Sequence, residues 1–204
     1  KFFDKSDLND RSDWAVAATL ETDGGSIDVG TGVPKNTKNG KRIMRLDGET
    51  VSQADIGKYL SVSWLTPQMD GIFINNPASR RRFLDRLVVA FDPAHAGRIL
   101  RYEKTLRQRT QLLVEERCDD AWLNSLESVL AETAVAVTAA RQSLIKALND
   151  EAAQGWFDFP GVELLLTGDT EGWLSRMPAL AVEDEFMLQA RLARKNGDLT
   201  VAGP

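Results

Sequence analysis

Residues 76–91 read NPASRRRFLDRLVVAF, and they mark the point where the chain changes from a strand period to a helix period. Asn76 can cap a helix, and Pro77 suits the first turn because its missing N–H would have no partner there. The apolar residues that follow recur at helical spacing: Phe83, Leu84, Leu87, Val88 and Phe91. This stretch therefore predicts the first long helix of a helical region.

The residues before this stretch predict paired β-strands. Residues 14–20 alternate between apolar and less apolar side chains, and Asp23-Gly24-Gly25 then supplies a turn before the alternation resumes. A second hairpin is predicted over residues 42–51, because Asp47-Gly48 at its centre supplies the positive φ values of a tight turn. Residues 61–65 are predicted to form a buried strand.

Two shorter features lie within this β-rich region. Residues 34–41 are polar and contain proline, asparagine and glycine, so they predict an exposed loop. Ser52, with Asp55 three residues later, predicts a capped short helix that runs through Tyr59.

Two long helices are predicted after residue 91. Asp92-Pro93 repeats the helix-start signal, and an apolar stripe then runs to about Arg117. Asp119 or Asp120 caps the next helix, whose stripe runs to Leu148. Since a short link joins two long amphipathic helices, residues 93–148 predict an antiparallel helix pair.

The sequence pattern of the C-terminal part predicts one helix between two short strands. The strands are residues 162–167 and 199–202, and the helix is residues 182–196, with Asn196-Gly197 as its stop signal. A helix of this length can connect two parallel strands, so the two segments are expected to pair.

The fold class is therefore α+β: a β-meander, then a helical part with an antiparallel helix pair and two short strands. We expect two domains. Residues 1–66 form the β-rich one, and residues 67–204 form the helical one.

The composition excludes several kinds of site. The 204 residues include one cysteine, Cys118, and one histidine, His95. These numbers exclude an internal disulfide, a cysteine-rich zinc site and any mechanism that needs two histidines. Sparse cysteine is typical of the reducing cytosol, and no stretch is long and apolar enough for a membrane-spanning helix. We expect a cytoplasmic protein without membrane contact.

Charge is distributed unevenly along the chain. Residues 80–117 hold ten basic and five acidic side chains, a local charge of +5, whereas the rest carries −10. Arginine offers a planar fork that matches phosphate oxygens, so the run predicts contact with DNA phosphates. Surface ion pairs are the alternative. The candidate nucleic-acid contacts are Arg80, Arg81, Arg82, Arg98, Arg101, Arg107 and Arg109.

No catalytic constellation stands out. The sequence contains no G-x-x-x-x-G-K-[ST] phosphate loop, and Gly30-Thr31-Gly32 lacks both the lysine and the following helix. Adjacent carboxylates such as Asp184 and Glu185 diverge on a helix, which is typical of solvated surface. No residue is therefore singled out as catalytic.

Five segments, in chain order, resemble the RecF family of bacterial recombination and repair proteins. They are WLTPQMD at residues 64–70, Pro77, RRRFLD at residues 80–85, residues 102–109 and TVAGP at residues 200–204. The resemblance implies an ABC-type ATPase head, related to SMC proteins, that binds duplex DNA and gap junctions. It also implies ATP and Mg²⁺ as cofactors, an ATP-dependent homodimer, and recombinase loading at gaps with recombination mediator proteins.

The same resemblance carries one candidate cofactor-binding residue. In ABC-type heads a glutamine at the junction of the two lobes reads the metal and the γ-phosphate, and Gln68 stands near that junction. Residues 1–66 would be the rim of the first lobe, and residues 67–204 the helical second lobe. The family's phosphate loop, signature motif and Walker B strand are missing from this sequence. We expect a piece of a longer ATPase that binds no cofactor by itself.

Two other functions remain open on the sequence. The first is a non-enzymatic helical module that binds a partner protein through residues 93–148. The second is a small hydrolase that uses scattered carboxylates, although the sequence contains no motif that supports it.

Overall fold

The computed structural model describes residues 14–33, 42–115, 119–155, 157–158 and 160–204. The chain divides into two units, Lys1–Trp64 and Leu65–Pro204. The first contains the strands and the second contains the long helices, which agrees with the α+β class.

The first unit is built on a four-stranded antiparallel sheet. Its strands lie in chain order: β1 (Trp14–Thr22), β2 (Gly25–Val33), β3 (Ile43–Leu46) and β4 (Glu49–Val51). Trp14 lies opposite Val33, and Met44 lies opposite Val51. The meander predicted from the two hairpin signals is confirmed, and the predicted loop at residues 34–41 lies outside the described residues.

The turn between β3 and β4 needs two residues with positive φ. Asp47 has a φ of 47° and Gly48 a φ of 88°, the backbone that a two-residue hairpin turn requires. After β4 comes α1 (Gln53–Ile56), where Ser52 and Asp55 form the predicted capping box. The helix ends at Ile56, so it is shorter than predicted.

The prediction of a buried strand at residues 61–65 is wrong. The segment is irregular, and its apolar side chains are exposed, 55% for Val62 and 79% for Leu65. The four-stranded sheet of the described residues does not include this segment, so the segment has no hydrogen-bonded partner strand there. Apolar composition alone cannot supply that partner.

Five helices follow a short 3-10 helix, Pro67–Met69, in the second unit. They are α2 (Pro77–Phe91), α3 (His95–Val114), α4 (Asp120–Ala152), α5 (Asp169–Leu174) and α6 (Ala179–Lys195). Asn76 caps α2 through a hydrogen bond from Ser79 N to its Oδ1, as the sequence predicts. Within the described part of the chain, no helix combines the length and apolar character needed to cross a bilayer.

α3 and α4 run antiparallel. Leu112, near the end of α3, packs with Leu123 near the start of α4, whereas Tyr102 packs with Ala134 further along α4. The predicted helix pair is therefore confirmed. Arg117 and Cys118 lie outside the described residues, and the described part of α3 ends at Val114.

The core of the second unit lies between α3, α4 and α6. Phe186 of α6 is 1% exposed and packs in one cluster with Tyr102, Leu130 and Ala190. Burial of a phenylalanine side chain stabilises a fold by roughly 1.5–3 kcal/mol. α6 therefore belongs to the core of this unit.

The two predicted C-terminal strands are wrong. Neither residues 162–167 nor residues 199–202 form a strand in the described structure. Side chains bond part of the backbone of each segment: Asn149 bonds both backbone groups of Leu164, and Arg109 donates to the Leu199 carbonyl. The helix predicted between them is present as α6.

Candidate nucleic-acid interface

The three consecutive arginines of α2 point in different directions. Arg80 turns back to the preceding loop, where its Nη1 donates to the Asn75 carbonyl at 2.6 Å. Arg81 and Arg82 are exposed, and Arg82 makes two long contacts within its own helix, each 3.4 Å, to the Ala78 carbonyl and to Ser79 Oγ. Adjacent helical side chains diverge by about 100°, so one ligand cannot bind all three.

Arg98 and Arg101 of α3 each have a carboxylate partner. Arg98 Nη1 pairs with Asp92, and its hydrogen bond is the main reason why the pKa of Asp92 is lowered. Arg101 Nη2 lies 3.4 Å from Glu132 Oε2, where both side chains are more than half exposed. Surface pairs of this kind contribute at most about 1 kcal/mol, so a phosphate could replace the carboxylates.

Arg107 and Lys104 also lie on the exposed face of α3. Neither side chain has a hydrogen bond or ion pair with any residue that the structure describes, and the same holds for Arg81. We call Arg81, Arg82, Lys104 and Arg107 the exposed basic set. Its members share an exposed cationic head without a carboxylate partner among the described residues.

Arg109 lies in the core rather than at an interface. Its side chain is fully buried, and its Nε donates to Glu127 Oε1 at 3.1 Å. Its Nη1 donates to the Leu199 carbonyl at 2.9 Å, and its Nη2 donates to the Ala190 carbonyl at 3.0 Å. A guanidinium held in this way cannot reach a phosphate unless the core opens, so Arg109 has a structural role.

A second buried network joins α2, α3 and α4. Asp85 accepts hydrogen bonds from Arg141 at 2.7 and 2.9 Å, and His95 Nε2 lies 3.0 Å from Asp85 Oδ1. Burial by itself raises the pKa of Asp85, but the bonds from His95 and Arg141 outweigh it and hold the pKa below its ordinary value. Asp85 therefore stays ionised and fixes both partners.

Sequence reasoning missed Arg141 and Arg194 as structural residues. Arg141 lies on α4 in the apolar stripe that includes Val137 and Leu144, and a charge at such a position signals a buried partner. Arg194, in the last turn of α6, approaches Glu127 Oε2 at 3.7 Å with a side chain that is 9% exposed. No signal in the local sequence of α6 marks that contact.

Gln68 lies within the short 3-10 helix, and its side chain is outside the described part of the structure. In the described residues no group of three His, Cys, Asp or Glu side chains could hold a metal ion. The sequence also lacks a phosphate loop.

The comparisons with known proteins agree on one similarity. No family model matches the chain. The chain is 41% identical over 176 residues to the DNA replication and repair protein RecF of Mesorhizobium japonicum, a match that covers 85% of this chain and 46% of that protein. It is 34% identical over 197 residues to RecF of Rhizobium johnstonii, covering 94% of this chain and 52% of that protein.

Solved structures show the same fold. The recombination mediator protein RecF bound to ATPrS, in the RecFOR pathway, matches with a TM-score of 0.77 at 19% identity, over 95% of this chain and 54% of that one. RecF bound to ATP matches with a TM-score of 0.68. The resemblance to RecF is therefore confirmed, and the chain spans about half the length of the curated relatives it matches.

Proposed function

We propose that this chain supplies a DNA-contacting helical surface to a RecF-type DNA replication and repair protein. The observation that carries the proposal is the exposed basic set on α2 and α3. Cations without carboxylate partners lose no ion pair when they bind phosphate, and such contacts are independent of base sequence. The RecF similarity supports DNA as the polyanion.

The wider RecF role is part of the same proposal. In a protein of RecF length we propose ATP and Mg²⁺ as cofactors, an ATP-dependent homodimer, and recombinase loading at gaps with mediator proteins, all in the cytoplasm. Gln68 is proposed to sense the metal and γ-phosphate there. The solved RecF structures with ATP and ATPrS support nucleotide binding by such a protein.

The first prediction concerns duplex DNA. We expect the chain to bind a fluorescein-labelled duplex weakly, with a Kd of about 10–100 µM, which is the range of non-specific phosphate contact. Arg82→Glu with Arg107→Glu should remove most of this binding. The slope of log affinity against log salt should also become shallower, by about 0.9 for each lost contact. Fluorescence anisotropy measures both quantities.

A matched control separates local contact from net charge. Lys146 and Lys195 are exposed lysines on α4 and α6, outside the exposed basic set. Lys146→Glu with Lys195→Glu changes the net charge by the same amount and should leave most of the binding in place. Equal losses in the two double variants would contradict the proposal, because they would show attraction to net charge alone.

The second prediction concerns nucleotide. We expect the isolated chain neither to bind ATP tightly nor to hydrolyse it, because the backbone N–H cradle and lysine that neutralise phosphates are missing. Titration calorimetry with Mg·ATP should give no saturable heat, and a phosphate-release assay should give the buffer rate. Micromolar affinity for Mg·ATP would contradict this expectation.

A further inference from the structure

A cleft of about 380 Å³ lies in the second unit, where the end of α3, the start of α4 and the last turns of α6 meet. Its lining includes two leucines, three cations and one carboxylate: Leu113, Leu123, Arg191, Arg194, Lys195 and Asp120. The carboxylate of Asp120 is 85% exposed. Since the cations outnumber the acid by three to one, the cleft favours an anion beside an apolar wall.

Two arginines of the cleft converge on one neutral oxygen. Arg191 Nε donates to Asn124 Oδ1 at 3.1 Å, and Arg194 Nη2 donates to the same oxygen at 3.0 Å. The amide oxygen satisfies both hydrogen bonds but carries no charge. Two like charges are therefore held close together without a counter-charge at the point where they meet.

The carboxylates near Arg194 do not balance the cations. Asp120 Oδ1 lies 3.4 Å from Arg194 Nη2, and Glu127 Oε2 lies 3.7 Å from its Nη1. Glu127 also pairs with the buried Arg109 at 3.1 Å, so it cannot neutralise both guanidinium groups. The Arg194 side chain is 9% exposed, and its Nη1 has no hydrogen bond among the described residues.

The rest of the cationic wall is available to a ligand. Arg191 is exposed, and its bond to Asn124 uses only Nε. Lys195 is exposed and has no hydrogen bond or ion pair with any residue that the structure describes. Both side chains can therefore turn toward an anion without losing an ion pair.

This cleft and the C-terminal residues of the chain lie at different positions along α3. Gly203 lies beside the hydroxyl of Tyr102, whereas Leu113 lines the cleft. Eleven residues of α-helix separate Tyr102 from Leu113, a rise of about 16 Å. No member of the exposed basic set lines the cleft. It is thus a separate surface of the second unit.

We propose that this cleft binds an acidic segment of another protein, in which an aspartate or glutamate lies next to an apolar side chain. The carboxylate accepts hydrogen bonds from Arg191 and Arg194, since a planar guanidinium matches its two oxygens. The apolar neighbour packs on Leu113. A DNA phosphodiester supplies the charge but no apolar group, so a peptide fits both parts of the lining. This inference goes beyond the DNA surface and does not depend on it.

The test titrates the ¹⁵N-labelled chain with the synthetic peptide Gly-Ser-Asp-Leu-Asp-Leu-Ser-Gly. We expect saturable shift changes at the Nε signals of Arg191 and Arg194. Replacing both leucines of the peptide with serine should weaken binding by about 10-fold, the equivalent of one partly buried leucine. Replacing both aspartates with lysine should abolish the changes at the cleft.

A pair of double variants separates the cleft from net charge. Arg191→Gln with Lys195→Gln should weaken the acidic peptide by at least about 10-fold, as for the loss of one hydrogen bond to a charged group. Arg194 is left in place because it also contacts Glu127, so the Tm should stay close to that of the wild type. Arg176→Gln with Lys146→Gln removes the same charge from exposed positions outside the lining and should keep the affinity.

Four results would overturn the inference. Two are the absence of saturable changes at the cleft with the acidic peptide, and equal losses of affinity in the two double variants. The third is equal affinity for the serine-substituted peptide, which would show a simple oxyanion site. The fourth is a duplex that displaces the peptide and shifts Arg191, which would assign the cleft to DNA. Variants of the exposed basic set test the DNA surface separately, so either proposal can fail alone.

Discussion

Arg109→Met is expected to lower the free energy of unfolding by about 3–5 kcal/mol, the range for removal of one partner from a buried ion pair. The substitution keeps an apolar side chain of similar length but deletes three hydrogen bonds, to Glu127 and to the carbonyls of Ala190 and Leu199. Among the described residues, the fully buried Glu127 would keep only Arg194, at 3.7 Å, as an ion-pair partner. Urea unfolding followed by circular dichroism measures the loss.

The control for this prediction lies on the same helix. Arg107→Met removes an exposed arginine, so it should change the free energy of unfolding by no more than about 0.5 kcal/mol. A loss below about 1 kcal/mol for Arg109→Met would show that the buried network does not hold α3, α4 and α6 together.

Asp85→Ala is expected to be the second most damaging substitution, again by about 3–5 kcal/mol. It would leave Arg141, with a side chain that is 5% exposed, without its carboxylate, and it would remove the partner of the fully buried His95. Asp184→Ala is the exposed control on α6 and should be close to neutral. Chemical denaturation at neutral pH compares the two variants.

The same carboxylate should make stability depend on pH. The pKa of Asp85 is lowered in the folded chain. Its contribution is therefore fully present above the ordinary aspartate pKa, and it is lost as the pH falls through the lowered value. The wild-type chain should lose stability over that acid range, whereas the Asp85→Ala variant should lose less. An equal loss of unfolding free energy in the two proteins as the pH falls would contradict this role of Asp85.

The parts of the fold that depend only on residues close together in the sequence can be predicted from it. Asp47-Gly48 sets a hairpin turn and Asn76-Pro77 starts a helix, because each signal acts within one turn of chain. The helix pair at residues 93–148 follows from two apolar stripes and a short link. These signals need no knowledge of distant segments.

The C-terminal strands cannot be predicted in this way. Residues 162–167 have the composition and the alternating burial of a strand, yet a strand also needs a partner at hydrogen-bonding distance. In the structure the Asn149 side chain occupies part of that position. Competition between a side chain and a partner strand depends on tertiary packing, which the local pattern does not contain.

The candidate site, too, can be predicted from the sequence only where its features depend on local helix geometry. The divergence of Arg80, Arg81 and Arg82 follows from helix geometry alone. The prediction that Arg109 contacts DNA is wrong, although its position on the helix face shared by Tyr102 and Leu112 is a signal of burial. The hydrogen-bond partners of Arg109 cannot be predicted from the local sequence, because Leu199 and Ala190 are distant along the chain and only the topology brings them to it.

The measurement that tests the central claim most directly is an NMR titration of the ¹⁵N-labelled chain with duplex DNA. We predict that shift changes concentrate at exposed positions of α2 and α3, with Arg82, Lys104 and Arg107 among them, and that added salt reverses them. The core residue Arg109 should not respond. Changes confined to other helices, or no salt-reversible changes, would contradict the assignment of this surface to DNA.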